Sequence, residues 1–108
     1  MPKNPAQLPG DATETAVLTT VEVQPPKQYN VIFWNDDITT FDCVIDIMVN
    51  IFGMTPKQGV AFARVVDKLG RGVAGTYARP VAEAKRDEAV EFARAQGYPL
   101  RVTTEPAT

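Results

Sequence analysis

The sequence predicts an α+β fold in which three helices pack on a small three-stranded antiparallel sheet, in the order β-α-α-β-α-β. An apolar run over residues 29–34 is rich in β-branched and aromatic residues, as buried strands are. Three later segments repeat apolar residues at helical spacing, and a glycine follows each of them. Short apolar stretches after the second and third of these segments supply the other two strands. Helices and strands arranged in this way form a single α+β domain.

The N-terminal residues 1–27 differ in composition from the rest of the chain. They contain alanine, threonine and scattered charges without a sustained period, and five of the nine prolines, namely Pro2, Pro5, Pro9, Pro25 and Pro26. Such a segment cannot bury enough apolar surface to fold. We therefore expect a disordered tail over residues 1–27 and one folded domain over residues 28–105.

Composition excludes several classes of function. The chain has 108 residues, enough for one domain with a core, and its formal charge of -2 favours neither nucleic acid nor an anionic membrane as a partner. No apolar run approaches the roughly 20 residues of a membrane span, and the N-terminus lacks a secretory signal. The single cysteine, Cys43, falls in a helical apolar pattern, which predicts a small buried residue. We expect a cytoplasmic monomer that binds a protein or peptide.

The polar sequence Asn35-Asp36-Asp37 interrupts two apolar stretches, and we place the candidate site there. The first predicted strand, residues 28–34, ends at this point. Two adjacent carboxylates repel each other and are costly to bury without a partner, so they must be solvated, form a turn or face a cation. Asn and Asp are common in turns because their side chains accept hydrogen bonds from nearby backbone N–H groups. This stretch alone does not decide between a turn and a site for a cation.

The first two predicted helices have clear start and stop signals. The first begins with Thr39 as N-cap, has Asp42 in its first turn and ends at Gly53. The second begins with the capping box Thr55-Pro56-Lys57-Gln58 and stops at Gly70.

The remaining elements are shorter or less regular. Residues 72–77 form a second strand, whose glycines indicate close backbone approach or a bulge. Pro80 opens the third helix, which ends at Gly97 and precedes a last strand over residues 100–104. The inward residues of this helix are expected to be Val81, Ala82, Ala89, Phe92 and Ala93.

Six short motifs occur in register over residues 29–105. They are Tyr29-x-Val31-Ile32, Asn35-Asp36-Asp37-x-Thr39, Val44-Ile45, Gly70-Arg71-Gly72, Val81-Ala82-Glu83-x-Lys85 and Tyr98-Pro99-Leu100. Together they resemble the ClpS family, adaptors that recognise N-terminal residues for the Clp AAA+ protease. The resemblance implies a binding module without catalysis or cofactor. Such a module holds the free α-amino group and the large hydrophobic first side chain of an N-degron, then delivers the substrate to a Clp ATPase.

The resemblance also implies roles for individual residues. The α-amino group would be bound by Asn35, Asp36, Asp37 and Asp67, among which Asn35 and Asp37 are the main acceptors. The first side chain would enter a pocket formed by Phe33, Thr39, Phe41, Val44, Ala63, Val66 and Leu100. The ATPase would dock on Glu83 and Lys85.

Three positions depart from the pattern that is usual in the family. Members commonly carry Met where Phe41 and Ala63 stand here, so one position is larger and the other smaller. The family also usually has a His amine ligand where this chain has Asp67, and the chain contains no His. A carboxylate remains an acceptor for an amine.

Two other classes of function compete with this interpretation. An enzyme or metal site would use Asp36, Asp37, Asp42 and Asp46, but the spacing of a calcium loop is absent, and without His a zinc site or nucleophilic triad is not available. The second is a protein-interaction module resembling the C-terminal domain of the ribosomal stalk protein. It would recruit acidic partners on helix faces that carry Lys57, Arg64, Lys68 and Arg71.

Overall fold

A computed structural model describes residues 27–107, so the predicted disordered tail lies outside the described residues except for Lys27. The order of elements is the predicted β-α-α-β-α-β. The elements are β1 (Gln28–Trp34), α1 (Phe41–Asn50), α2 (Pro56–Leu69), β2 (Arg71–Ala78), α3 (Arg79–Ala95) and β3 (Arg101–Pro106).

The three strands form one antiparallel sheet in the order β2-β1-β3. Because side chains alternate across a strand, Val31 and Phe33 point into the core with the helices, whereas Ile32 and Trp34 point to the other face. The pairing of β1 with β2 shifts between Val31 and Ile32, which confirms the predicted bulge. The helices lie on the Val31–Phe33 side of the sheet, where α2 and α3 contact the strands and α1 packs mainly on α2.

The start of α1 differs from the prediction by one residue. Its N-cap is Thr40, whose side chain accepts a hydrogen bond from the Cys43 N–H, and not Thr39. The prediction was wrong because Thr39 donates its own hydroxyl to Asp36 instead. The helix also ends at Asn50, before the apolar residues that precede Gly53.

The second helix has the predicted ends. Thr55 and Gln58 form the reciprocal hydrogen bonds of a capping box, and Gly70 ends the helix with φ 88°. The predicted close approach of a glycine occurs at Gly72, where a Cβ atom would lie 3.0 Å from Val66 Cγ2 and 3.1 Å from the ring of Phe62. Glycine at this position thus allows β2 to lie directly against α2.

The third helix packs on the sheet through small side chains. Ala82, Ala89 and Ala93 have no exposed surface. Val81, which was expected to point inward, is 45% exposed. The prediction was wrong because the buried stripe is set by Ala82 and Ala89, and Val81 lies about 100° away from Ala82 around the helix. Cys43 is buried as predicted, and burial together with the nearby Asp46 and Asp36 raises the pKa of its thiol.

Candidate functional site

One backbone hydrogen bond joins the end of β1 to the end of α2. The Asn35 N–H donates to the Gly70 carbonyl oxygen at an N···O distance of 2.9 Å. Gly70 adopts the left-handed conformation, which glycine reaches without steric strain. The bond holds the Asn35-Asp36-Asp37 loop beside the C-terminal turn of α2, which carries Asp67.

The Asp36 carboxylate organises this loop. Its Oδ1 accepts hydrogen bonds from the backbone N–H groups of Ile38 (2.8 Å) and Thr39 (2.7 Å), and its Oδ2 accepts from the Thr39 hydroxyl (2.8 Å). Partial burial alone would raise the pKa of Asp36, but these three hydrogen bonds outweigh it and lower the pKa below its ordinary value. Asp36 is thus the turn former of the loop, and three of its roughly four acceptor positions are occupied.

Three other polar side chains of the predicted set remain open to a ligand. Asn35, Asp37 and Asp67 are exposed. Within residues 27–107 none of these side chains makes a hydrogen bond or ion pair. The loop therefore presents amide and carboxylate oxygens whose acceptor positions are free.

The predicted side-chain pocket divides into buried and surface residues. Five members belong to the single hydrophobic core and are at most 7% exposed, namely Phe33, Val44, Ala63, Val66 and Leu100. Thr39 is half-buried, and Phe41, the first residue of α1, is 41% exposed. Residues 27–107 enclose no preformed cavity. The five buried side chains thus belong to the core, and only Thr39 and Phe41 lie at the surface; we call the five buried residues the apolar floor.

Neither a metal cluster nor a membrane span occurs in the described part of the chain. No group of three or more His, Cys, Asp or Glu side chains is placed to hold a metal ion there. Among the helices of residues 27–107, none is long and apolar enough to cross a bilayer.

A family model described as "ATP-dependent Clp protease adaptor protein ClpS" matches residues 24–103. The chain belongs to the ClpS family. The match confirms the resemblance read from the motifs, and with it the predicted function as an adaptor of the Clp protease. It decides against the alternative of a stalk-like interaction module.

Relatives and a solved structure agree with this membership. The ClpS adapter of Neisseria meningitidis serogroup A is 36% identical over 95 residues, which is 88% of this chain and 92% of the relative. The ClpS adapter of Hydrogenovibrio crunogenus is 38% identical over 105 residues, or 97% of this chain and 98% of the relative. The structure of Agrobacterium tumefaciens ClpS2 bound to L-phenylalaninamide is similar with a TM-score of 0.75 and 32% identity, covering 77% of this chain and all of that one.

The two predicted ATPase-docking residues of this ClpS chain already have partners inside the domain. The Lys85 ammonium donates to the Ile51 carbonyl oxygen at 2.8 Å and lies 5.6 Å from the ring centroids of both Phe52 and Tyr77. Glu83 accepts a hydrogen bond from Arg79 at 3.1 Å. Lys85 therefore fixes the C-terminal end of α1 against α3, and a docking role for it stays a prediction.

The site predicted from the sequence did not include three residues that shape it in this ClpS domain, namely Phe52, Phe62 and Gly70. The Phe33 ring makes edge-to-face contacts with Phe52 and Phe62, at centroid distances of 5.6 and 5.5 Å. Gly70 supplies the carbonyl that holds Asn35. The helical spacing of Phe62 and Val66 could have indicated the contact on Phe33, whereas the pairing of Asn35 with Gly70 has no local signal.

The role of Asp36 as turn former predicts a pH-dependent stability difference. A lowered folded-state pKa contributes stability that is present above the ordinary carboxyl pKa, near 3.9, and is lost as the pH falls through the lower folded-state pKa. Asp36→Asn keeps one oxygen for the two N–H groups but loses the negative charge and the acceptor of the Thr39 hydroxyl, so it should lower the free energy of unfolding by about 1 kcal/mol at pH 7. The difference from wild type should shrink as the pH falls below about 4.

Urea unfolding from pH 2 to 7 measures this difference. Asp46→Asn is the matched control, because Asp46 is exposed on α1 and its side chain has no hydrogen bond within residues 27–107. Equal stabilities of the two variants at pH 7 would show that Asp36 does not organise the loop.

Proposed function

We propose that this ClpS chain captures proteins by their free N-terminus and delivers them to a Clp AAA+ ATPase. Asn35 and Asp37 hold the α-ammonium, and the apolar floor beneath Thr39 and Phe41 receives a large hydrophobic first side chain. The observation that supports the proposal is the set of unengaged acceptors on Asn35 and Asp37, in a loop that the Asn35–Gly70 hydrogen bond joins to the end of α2. The module has no catalysis or cofactor of its own, and it works as a monomer in the cytoplasm, on proteins and not on nucleic acid.

The chemistry of an N-terminus fits these acceptors. An α-ammonium has a pKa near 7.7 to 8.0 and offers three donors. A hydrogen bond from a charged donor to a carboxylate contributes about 1.5–3 kcal/mol, and the amide oxygen of Asn35 adds a neutral acceptor that fixes direction. Because three acceptor positions of Asp36 are already occupied within the turn, Asp36 attracts the ammonium mainly through its negative charge. L-phenylalaninamide, the ligand of the similar ClpS2, carries a free amine and an aromatic side chain.

Asp67 adds a third acceptor to the amine site. It lies on α2 one residue after the buried Val66 and is exposed. A second carboxylate beside Asp37 increases the attraction for an ammonium. A His at this position would gain a positive charge near pH 6.5 and repel an ammonium; because this chain has no His, binding should persist in mildly acid solution.

Delivery would use the parts of the chain outside this site. Residues 1–27 have the composition of a flexible segment that an unfoldase can engage. Glu83 and Lys85 are the candidate contacts to the ATPase. Since Lys85 also fixes α1, only a variant that keeps its melting temperature can test a docking role for this residue.

Removal of the amine charge should abolish high-affinity binding. A peptide that begins with Phe should bind at least about 100-fold more tightly than the same peptide acetylated at its N-terminus, because two charge-assisted bonds are lost.

Variants of the acceptors should weaken binding of the free peptide. Asp37→Asn should weaken it about 10- to 100-fold, and Asp67→Asn more than about twofold at both pH 5.5 and 7.5. Binding to wild type should weaken above about pH 8 as the amine loses its proton.

Fluorescence anisotropy with a peptide labelled at its C-terminus measures these affinities, and Asp46→Asn is again the control. Equal affinity for the free and acetylated peptides would contradict the proposed function. If only Asp67→Asn left the affinity unchanged, the amine would be held by Asn35 and Asp37 alone.

Phe41 should determine which first side chains are accepted. It is the exposed aromatic residue of the pocket set, and a rigid ring there excludes a side chain with a second branch at Cβ. Phe41→Ala should therefore admit peptides that begin with Ile or Val, with the affinity ratio of Leu to Ile falling at least about fivefold. Val65→Ala, another exposed apolar side chain, is the control. The same order of first residues in wild type and Phe41→Ala would remove Phe41 from the pocket.

A further inference from the structure

No helix of residues 27–107 packs on the face of the sheet opposite the core. The core side chains Val31, Phe33 and Val102 point to the helices, so alternate side chains of the three strands form the other face. Two of them are apolar and partly or largely accessible, namely Trp34, which is half-buried, and Val73, which is 45% exposed. The residues proposed above to bind the amine and the first side chain are not among the side chains of this face.

A row of three side chains crosses this face at the end of the sheet. Trp34 of β1 is paired directly with Arg71 of β2 and with Arg101 of β3. The guanidinium carbons lie 5.2 Å (Arg71) and 4.7 Å (Arg101) from the indole ring centroid. The indole N–H donates to the Thr103 hydroxyl at 2.8 Å, which fixes the ring. The row is therefore ordered before any partner binds, and binding would lose little side-chain entropy.

The two arginines differ in their ionic partners. Arg71 forms an ion pair of 3.6 Å with Glu105, which is paired with Asn30 at the other end of the face. This contact crosses β1 over Ile32, and Ile32 accordingly has no exposed surface. Arg101 has no carboxylate partner within residues 27–107. Its planar fork of donors is therefore free to bind a carboxylate through two hydrogen bonds.

We propose that this face is a docking surface for an acidic segment of a partner protein. A carboxylate of the segment binds the Arg101 fork beside Trp34, a second one lies near Arg71, and an apolar side chain packs on Val73. Trp and Arg are the residue types that most often dominate binding energy at protein interfaces. We call the row of Arg71, Trp34 and Arg101 the arginine-tryptophan row.

The surrounding charges favour an acidic peptide over a polyphosphate. Glu105 lies on the same face, and the acidic loop that begins at Asn35 follows Trp34 directly, so a continuous nucleic-acid backbone would meet repulsion on two sides. A short peptide can place its carboxylates only where the arginines are. The row also lies next to the Asn35–Gly70 bond, since Arg71 follows Gly70, so a docked partner would be close to a captured N-terminus without competing for it.

NMR titration of the full chain tests the proposal. Trp34 is the only tryptophan, so its indole N–H gives one identifiable signal. The probe is a short acetylated and amidated peptide of glutamate and leucine, which has no free amine for the site described above, and its control is the analogue with glutamine in place of glutamate. The glutamate peptide should shift the indole signal saturably and bind at least about fivefold more tightly than the glutamine analogue.

Two variants localise the effect. Arg101→Gln should weaken the glutamate peptide at least about fivefold, and Arg101→Lys less, because it keeps the charge without the fork. Arg94→Gln, an exposed arginine on α3, should leave the affinity within about twofold of wild type. Equal binding of both peptides, or equal effects of Arg101→Gln and Arg94→Gln, would overturn the proposal. The proposal would also be overturned if polyuridylic acid shifted the Trp34 indole signal and bound more tightly than the peptide, because the face would then be a nucleic-acid surface.

Discussion

The hydrogen bond from the Asn35 N–H to the Gly70 carbonyl oxygen is the constraint on which the site depends. Each of the two elements it joins is rigid by itself: β1 is paired on both edges, and α2 is closed by a capping box at one end and a left-handed glycine at the other. A bond between two backbone groups does not use the side chains of the loop. The loop residues are therefore free to carry acceptors, and only Asp36 is used to shape the turn.

The residues of the predicted pocket differ in how much they contribute to the stability of the fold. Phe33 has no exposed surface, contacts two other aromatic rings and lies in the only core of the described domain, so its truncation would remove about 3–5 kcal/mol of stability. Phe41 and Thr39 lie at the surface, and Phe41 begins α1 without filling its core side. A substitution at Phe41, the residue proposed to determine selectivity, should therefore cost the fold little stability.

The elements with local signals could be predicted from the sequence, and those that depend on distant partners could not. The Thr55 capping box and Gly70 act within a few residues, and both end α2 as predicted. Gly53 has the predicted left-handed conformation but lies three residues beyond the end of α1. The N-cap of α1 was assigned to Thr39 instead of Thr40 because both are threonines, and only the hydrogen bonds of Asp36 distinguish them.

In the candidate site, too, features with a local signal could be predicted and those that depend on distant partners could not. The polar loop and its acceptors could be located by composition, whereas the roles that the family resemblance implies for them stay predictions. The bond to Gly70, the use of Lys85 as a link between α3 and α1, and the arginine-tryptophan row each join residues more than 30 positions apart. Long-range pairs of this kind are set by strand register and helix packing, which a single sequence does not reveal.

The central claim is that a free α-amine is bound between the loop after β1 and the end of α2. Backbone ¹H–¹⁵N NMR spectra recorded during titration with L-phenylalaninamide, and separately with its N-acetyl derivative, test it most directly. The account predicts that the free amine shifts the signals of Asn35, Asp37 and Gly70 first and most, and that the acetylated compound leaves them in place. Shifts of equal size with both compounds, or shifts confined to α3 and the sheet face around Trp34, would contradict it.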